Sequence, residues 1–274
     1  MTKKLAIVLI GIFSISALTA FALLNKTQPT SQIFSNLLTT EKNDTVTIIG
    51  VGDMMLGTNY PSTAYLPPND GKDLLTPVIN VLKNADVTFG NLEGTLLDKG
   101  GYVKNCNDPS KCYAFRMPER YAKYLTEAGF DVVSIANNHV RDFGQPGLKK
   151  TIETLQNEGI HFAGLQTHPS TVFEINGMKY GFCAFAPNTG TVKIHDYEGA
   201  IKIVKELEAQ SDIVIVSFHG GAEGSKHRHV TKKTEYYYGE NRGNVYEFSH
   251  KLIDAGADVI FGHGPHITLS LIHI

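Results

Sequence analysis

The chain has 274 residues, 42% hydrophobic and 19% charged, with a formal net charge of −2. That composition suits a globular chain with a sizeable core, as one large domain or two small ones. With no basic excess there is no electrostatic footprint for nucleic acid, which is excluded as a partner.

Lys3 and Lys4 precede an apolar run from Leu5 to Leu24. A cationic start followed by an apolar stretch is an export signal, and Ala20-Phe21-Ala22 fits a small-x-small cleavage site. The run is also about as long as a bilayer-spanning helix, with the lysines kept cytoplasmic by the positive-inside rule. Residues 1–24 are therefore a signal peptide or an N-terminal membrane anchor. Either places the rest outside the cytoplasm, secreted after cleavage or tethered to the cell membrane. Residues 25–44 are polar and aperiodic and read as a linker.

Strands and helices then alternate. Apolar runs predict strands at Val46–Val51, Asp86–Phe89, Val132–Ile135, His161–Ala163, Val172–Ile175, Lys179–Phe185, Ile213–Phe218 and Val259–Phe261. Helical spacing predicts helices at Leu74–Leu82, Pro118–Ala128, Gly147–Glu158, Tyr197–Ala209 and Asn244–Ala255. Gly129 and Gly159 close two of them, and Asn176-Gly177 is a hairpin turn. This punctuation is that of an α/β fold with a mainly parallel or mixed sheet. Cys106 and Cys112 flank a short polar loop, and export predicts a disulfide between them. Cys183 lies in an apolar run and reads as a buried, inert thiol.

In such folds ligands bind beyond the carboxyl ends of the strands. Asp53 follows the first strand, Asn91 and Glu93 the second, and Asn137, Asn138 and His139 the third. His219 and Glu223 follow the long apolar strand, and His263 and His266 the last. Each alone has a plain alternative: a turn cap for Asp53, a solvated loop for Glu93, a satisfied core position for His219. Gathered at one sheet edge, they form a ligand set suited to Mn, Fe or Zn. Glycines beside them let the backbone approach a ligand closely.

The ordered set resembles a known family. It comprises Gly52-Asp53-Met54-Met55, Asn91-Leu92-Glu93, Asp131 through Asn138-His139, Asp142-Phe143-Gly144, His219-Gly220-Gly221-Ala222-Glu223, and Asp254 through Gly262-His263-Gly264-Pro265-His266. These look like the CapA family of bacterial capsule and poly-γ-glutamate synthesis proteins, from about Thr45 to Thr268. The resemblance implies a calcineurin-like metallophosphoesterase sandwich of two mixed sheets flanked by helices, over residues 45–268. It also implies roles: Asp53 as first metal carboxylate, Glu93 in the bridging place, and Asn138 as amide ligand. His219, His263 and His266 would be imidazole ligands, and His139 the acid that protonates a leaving oxygen. Two positions depart from the pattern. Met55 stands where a ligating His is expected, and Glu93 where the bridging residue is Asp.

One or two divalent ions held there would support hydrolysis or transfer on a cell-surface polymer or its phosphorylated carrier. The competing expectation is a non-catalytic, membrane-tethered polymer-binding component. Arg116 and Arg242 are candidate anion clamps, with Asn91 and Glu223 beside them as substrate contacts. Expected partners are the membrane, an anionic polymer such as poly-γ-glutamate, and membrane subunits of a capsule synthase. Residues 269–274 read as a non-native tail. The resemblance implies that the family continues past them, which would leave the sandwich truncated at its C-terminus.

Overall fold

The β-branched run after Thr47 becomes strand β1, Ile48–Met54. The structure, a computed structural model, describes residues 45–106, 108 and 112–269. The expected export segment and linker, and most of the expected tail, lie outside the described residues. No helix among those described is long and apolar enough to cross a membrane.

β1 pairs in parallel with β2, Val87–Leu92, which pairs in parallel with β5, Val132–Ser134, and that in turn with β6, His161–Ala163. The short strands β3, Thr95–Leu96, and β4, Arg116–Met117, form a separate parallel ribbon. In the second sheet β12, Val259–His263, β9, Ile213–His219, and β8, Met178–Phe185, run parallel in that order. β7, Ser170–Ile175, returns antiparallel along β8. The turn between them is Asn176-Gly177, both at positive φ (53° and 80°), the backbone that two-residue hairpins require. β10, Tyr236–Tyr237, and β11, Glu240–Asn241, make a small antiparallel hairpin.

The helices are α1, Ile79–Leu82, α2, Tyr121–Ala128, α3, Gly144–Asn157, α4, Tyr197–Glu208, and α5, Val245–Asp254. α1 is much shorter than the nine-residue helix expected from Leu74. Pro77 supplies no backbone N–H and disfavours helical backbone at Thr76, so the segment before Ile79 turns instead. α2 ends where expected, on Gly129 at φ 90°.

Strand alternation sorts the side chains into layers. Leu92, Val133 and Ile135 pack outward against Leu125 and Leu155 of α2 and α3. Cys183, Phe185, Val214 and Val216 pack outward against Val204 of α4 and Phe248 of α5. The other two faces meet through aromatic rings: Phe89 of β2 lies 5.3 Å from Phe182 of β8 and 5.2 Å from Phe261 of β12. The result is the expected sandwich of two sheets with helices outside.

One irregularity matters for the site. The β1–β2 register runs Gly50↔Phe89 and then Asp53↔Asn91, so β1 carries an extra residue there. Such a bulge flips the alternation. Gly50 faces the opposite sheet, where an added Cβ would strike the Phe261 ring. Without the bulge Gly52 would face inward next; with it, Asp53 does. Phe89→Ala should therefore loosen both sheets at once. The expected cost is about 3–5 kcal/mol, read as a lower urea midpoint with an unchanged slope. A loss under about 1 kcal/mol would show that the sheets are held together elsewhere.

Candidate metal centre

The same alternation that points Phe89 inward also points Asn91 and Glu93 inward. On the facing sheet it does so for Ser217 and His219 of β9 and Phe261 and His263 of β12. His219 and His263 are direct register partners. The carboxyl edges of both sheets thus deliver polar side chains into one seam.

Asp53, Glu93 and His266 each bring a ligand atom within 4.8 Å of the others. Asp53 Oδ2 lies 3.0 Å from His266 Nδ1, and Glu93 Oε1 lies 3.3 Å from His219 Nε2. His266 reaches inward from the turn after β12, at positive φ (54°). His139 Nε2 is 3.9 Å and His266 Nε2 4.0 Å from the same Glu93 oxygen.

Among the described residues, several of these atoms are buried with no hydrogen-bond partner: Glu93 Oε1, Asn138 Oδ1, and both ring nitrogens of His219. Native interiors rarely leave such groups unpaired. A carboxylate oxygen and an imidazole nitrogen 3.3 Å apart without a hydrogen bond, with a buried, unpaired amide oxygen in the adjoining strand-end loop, are donor types that fit a divalent ion of the Mn, Fe or Zn kind.

The charges fit the same reading. Burial raises the Asp53 carboxyl, but the hydrogen bond from His266, with smaller contributions from the neighbouring imidazoles and Asn91, outweighs it and holds the group well below the carboxylate range. Burial, and after it the Asp53 charge, raises Glu93. Burial, followed by the Arg242 charge, lowers His219 to about 3, so its imidazole is neutral and able to ligate at ordinary pH.

Other expected residues have different work. Asn91, expected among the substrate contacts, is wholly buried. Its Nδ2 donates to Asp53 Oδ1 at 2.7 Å and its Oδ1 accepts from Asn137 Nδ2 at 3.1 Å, so it aims the carboxylate. His263 has both ring nitrogens engaged. Nε2 lies 3.0 Å from the Val51 carbonyl oxygen, which can only accept, and Nδ1 lies 3.4 Å from Ser217 Oγ. In this state it ties the sheets together and offers no lone pair to an ion. Arg116 gives Nε to Asn59 Oδ1 (2.5 Å) and Nη1 to the Gly100 carbonyl (3.1 Å), beside the Phe143 ring. Glu223 accepts from Arg242 at 3.1 Å. The sulfur of Met55 accepts from the Gly57 amide and the side chain is exposed, so it takes no part.

Two residues stand behind His139: Asp142, which the sequence placed in the motif set but gave no role, and Lys104, which it did not single out. Asp142 Oδ2 lies 2.7 Å from His139 Nδ1, and Lys104 Nζ lies 2.6 Å from Asp142 Oδ1. Asp142 had a readable signal, its spacing three residues after His139 in one loop. Lys104 had none, since it arrives from a distant loop. That loop is clasped: Cys106 and Cys112 are joined in a disulfide. Before it the Lys104 amide bonds the Asp142 carbonyl at 2.8 Å, and after it the Phe115 amide bonds Asp142 Oδ2 at 2.7 Å.

The family described as "Bacterial capsule synthesis protein PGA_cap" matches residues 47–271. Capsule biosynthesis protein CapA of Bacillus anthracis is 26% identical over 250 residues, covering 84% of this chain and 56% of that protein. PGA biosynthesis protein CapA of Bacillus subtilis (strain 168) is 24% identical over 245 residues, covering 83% of this chain and 59% of that protein. The crystal structure of a hypothetical protein from Thermus thermophilus is similar with a TM-score of 0.46 at 15% identity, over 80% of this chain and 68% of that one. The chain spans little more than half the length of these two curated relatives.

The raised Glu93 carboxyl has a pH signature. It binds its proton more tightly folded than unfolded. Metal-free protein therefore loses stability as pH rises from the ordinary Glu value, about 4.3, through the raised one. Glu93→Gln removes that penalty. In calorimetry without metal, the variant is expected to melt above wild type at neutral pH, with the gap closing below about pH 4. Equal melting temperatures at neutral pH would show that the carboxylate is not strained.

Proposed function

The chain belongs to the bacterial capsule synthesis protein family PGA_cap, and from that premise we propose that it acts in the synthesis or export of an anionic capsule polymer of the poly-γ-glutamate kind. Its site would carry out metal-dependent hydrolysis or transfer on the polymer or on its phosphorylated carrier. The observation that carries this is the meeting of ligand atoms of Asp53, Glu93 and His266 within 4.8 Å, with His219 Nε2 3.3 Å from Glu93 Oε1 and neither of that pair hydrogen-bonded among the described residues.

Asp53, Glu93, Asn138, His219 and His266 would hold the ion. When bound, it lowers the pKa of water and stabilises charge on a phosphoryl or carbonyl oxygen. The proton work falls to His139. Its Nδ1–H donates to Asp142 Oδ2, which leaves Nε2, on the Glu93 side, as the atom that exchanges a proton with the ligand. Lys104 holds Asp142 from behind and fixes the ring through it. Phe115, with its ring centroid 4.4 Å from that of His139, covers one face.

A capsule polymer lies outside the cytoplasm, so the same reading places the protein there, secreted or anchored through residues 1–24. The Cys106–Cys112 disulfide supports an oxidising compartment. Membrane subunits of a capsule synthase are the partners it implies. The donor set also supports a second reading. With Met55 turned away and His263 engaged by Val51 and Ser217, a second ion would lack ligands. A polymer-binding component that holds one ion without turnover would have this geometry.

Metal analysis and hydrolysis of bis(p-nitrophenyl) phosphate by the full chain separate the two. Wild type is expected to hold at least one equivalent of Mn²⁺, and Asp53→Asn and His219→Ala to lose it. His139→Asn is expected to keep the ion and lower kcat by about 10²–10⁴-fold. Bound metal with no turnover on any phosphodiester would favour the binding component. No bound metal would sink both forms of the site.

A further inference from the structure

Arg242 follows β11 directly and is almost wholly buried, with 2% of its surface exposed. Its backbone is fixed on both sides: its amide donates to the Glu235 carbonyl at 2.8 Å and its carbonyl accepts from the Gly221 amide at 2.9 Å. Of the guanidinium, only Nη1 is committed, to Glu223 Oε1 at 3.1 Å and Glu240 Oε2 at 3.3 Å. Nε and Nη2 are buried and have no hydrogen-bond partner among the described residues.

Those two atoms form one edge of the planar group and present two parallel N–H bonds. That fork matches a pair of oxygens on a single carboxylate or phosphoryl group. The edge borders the metal centre. A Cβ added to Gly264 would lie 3.0 Å from Arg242 Nη2 and 3.2 Å from both His219 Cε1 and the Gly220 carbonyl oxygen, so the bare glycine lets this edge come up beside the His219 ring. A side chain needed only to tie Glu223 to Glu240 would not require an empty edge, and buried unpaired donors are costly.

We infer that the Nε–Nη2 edge of Arg242 is an anion subsite that grips two oxygens of one carboxylate or phosphoryl group of the ligand beside His219. Glu223 and Glu240 orient the guanidinium by holding Nη1. The choice of ligand rests on the capsule-polymer reading above; the grip itself does not. A γ-linked glutamate chain carries one free α-carboxylate per residue, and a phosphorylated carrier offers phosphoryl oxygens.

The test is calorimetric titration of inorganic phosphate and of tri-γ-glutamate into the Mn²⁺-treated full chain and its Arg242→Lys variant, which keeps the charge and loses the fork. Binding of either anion that weakens about tenfold in the variant, with Mn²⁺ stoichiometry unchanged, supports the subsite. Arg242-dependent phosphate binding without trimer binding also supports it, while removing the polymer reading. Equal affinities in the two proteins, or no binding of either anion to wild type, overturn it. Should the variant fail to fold, the Arg242 Nε–H resonance of the wild type decides. A downfield displacement on adding phosphate supports the grip, and an unmoved signal overturns it.

Discussion

Everything in the site depends on two sheets meeting face to face through the rings of Phe89, Phe182 and Phe261. Because strand side chains alternate, the parity that buries Phe89 in the seam also commits Asn91 and Glu93 to it. The same holds for Phe261 with His263 and, on the neighbouring strand, for His219. Hydrophobic packing of the middle of each strand therefore aims the polar groups at its end. β1 obeys this rule only through its bulge. Gly50 must face the Phe261 ring without a side chain, and the extra residue after it turns Asp53 to the same side as Glu93.

The seam is costly at the end where the polar groups gather. Two carboxylates share a mostly buried space, and oxygens and nitrogens lie unpaired there. The surroundings are, by contrast, closely bonded. Asn137 donates to Asn91 and to the Leu92 carbonyl and accepts from the His139 amide, and Asn91 holds Asp53. Rigid, satisfied amides thus support unsatisfied ligand atoms, the arrangement expected where a site spends stability that the scaffold supplies. His263 belongs to the scaffold side of that division, since its bond to Val51 crosses from one sheet to the other.

His139 shows how a local motif depends on distant chain. Its ring is oriented by Asp142, three residues on, but Asp142 is gripped by Lys104 and Phe115 from either end of the loop that the disulfide closes. Opening that disulfide would lengthen the free loop between the two grips and raise the entropy cost of keeping both in place. Arg242 is similarly held, by the hairpin ahead of α5, beside a strand end remote from it in sequence.

Much of this was legible in the chain itself. β-branched runs marked the strands, Gly129 and the Asn176-Gly177 pair marked boundaries through their backbone freedom, and Asp53, Glu93, His139, His219 and His266 stood out because strand ends in α/β folds collect ligands. Those signals are local, carried by period, turn chemistry and residue type, and they determined the fold class and the set of candidate residues. What tertiary structure decided were questions of partner. His263 is bonded to a carbonyl of the opposite sheet, Asn91 is spent on Asp53, Arg116 is spent on Asn59, and Arg242 keeps a free edge. Sequence carries residue identity, but a hydrogen bond is made or missed by the position of a second group, and only the packed sheets bring those groups together.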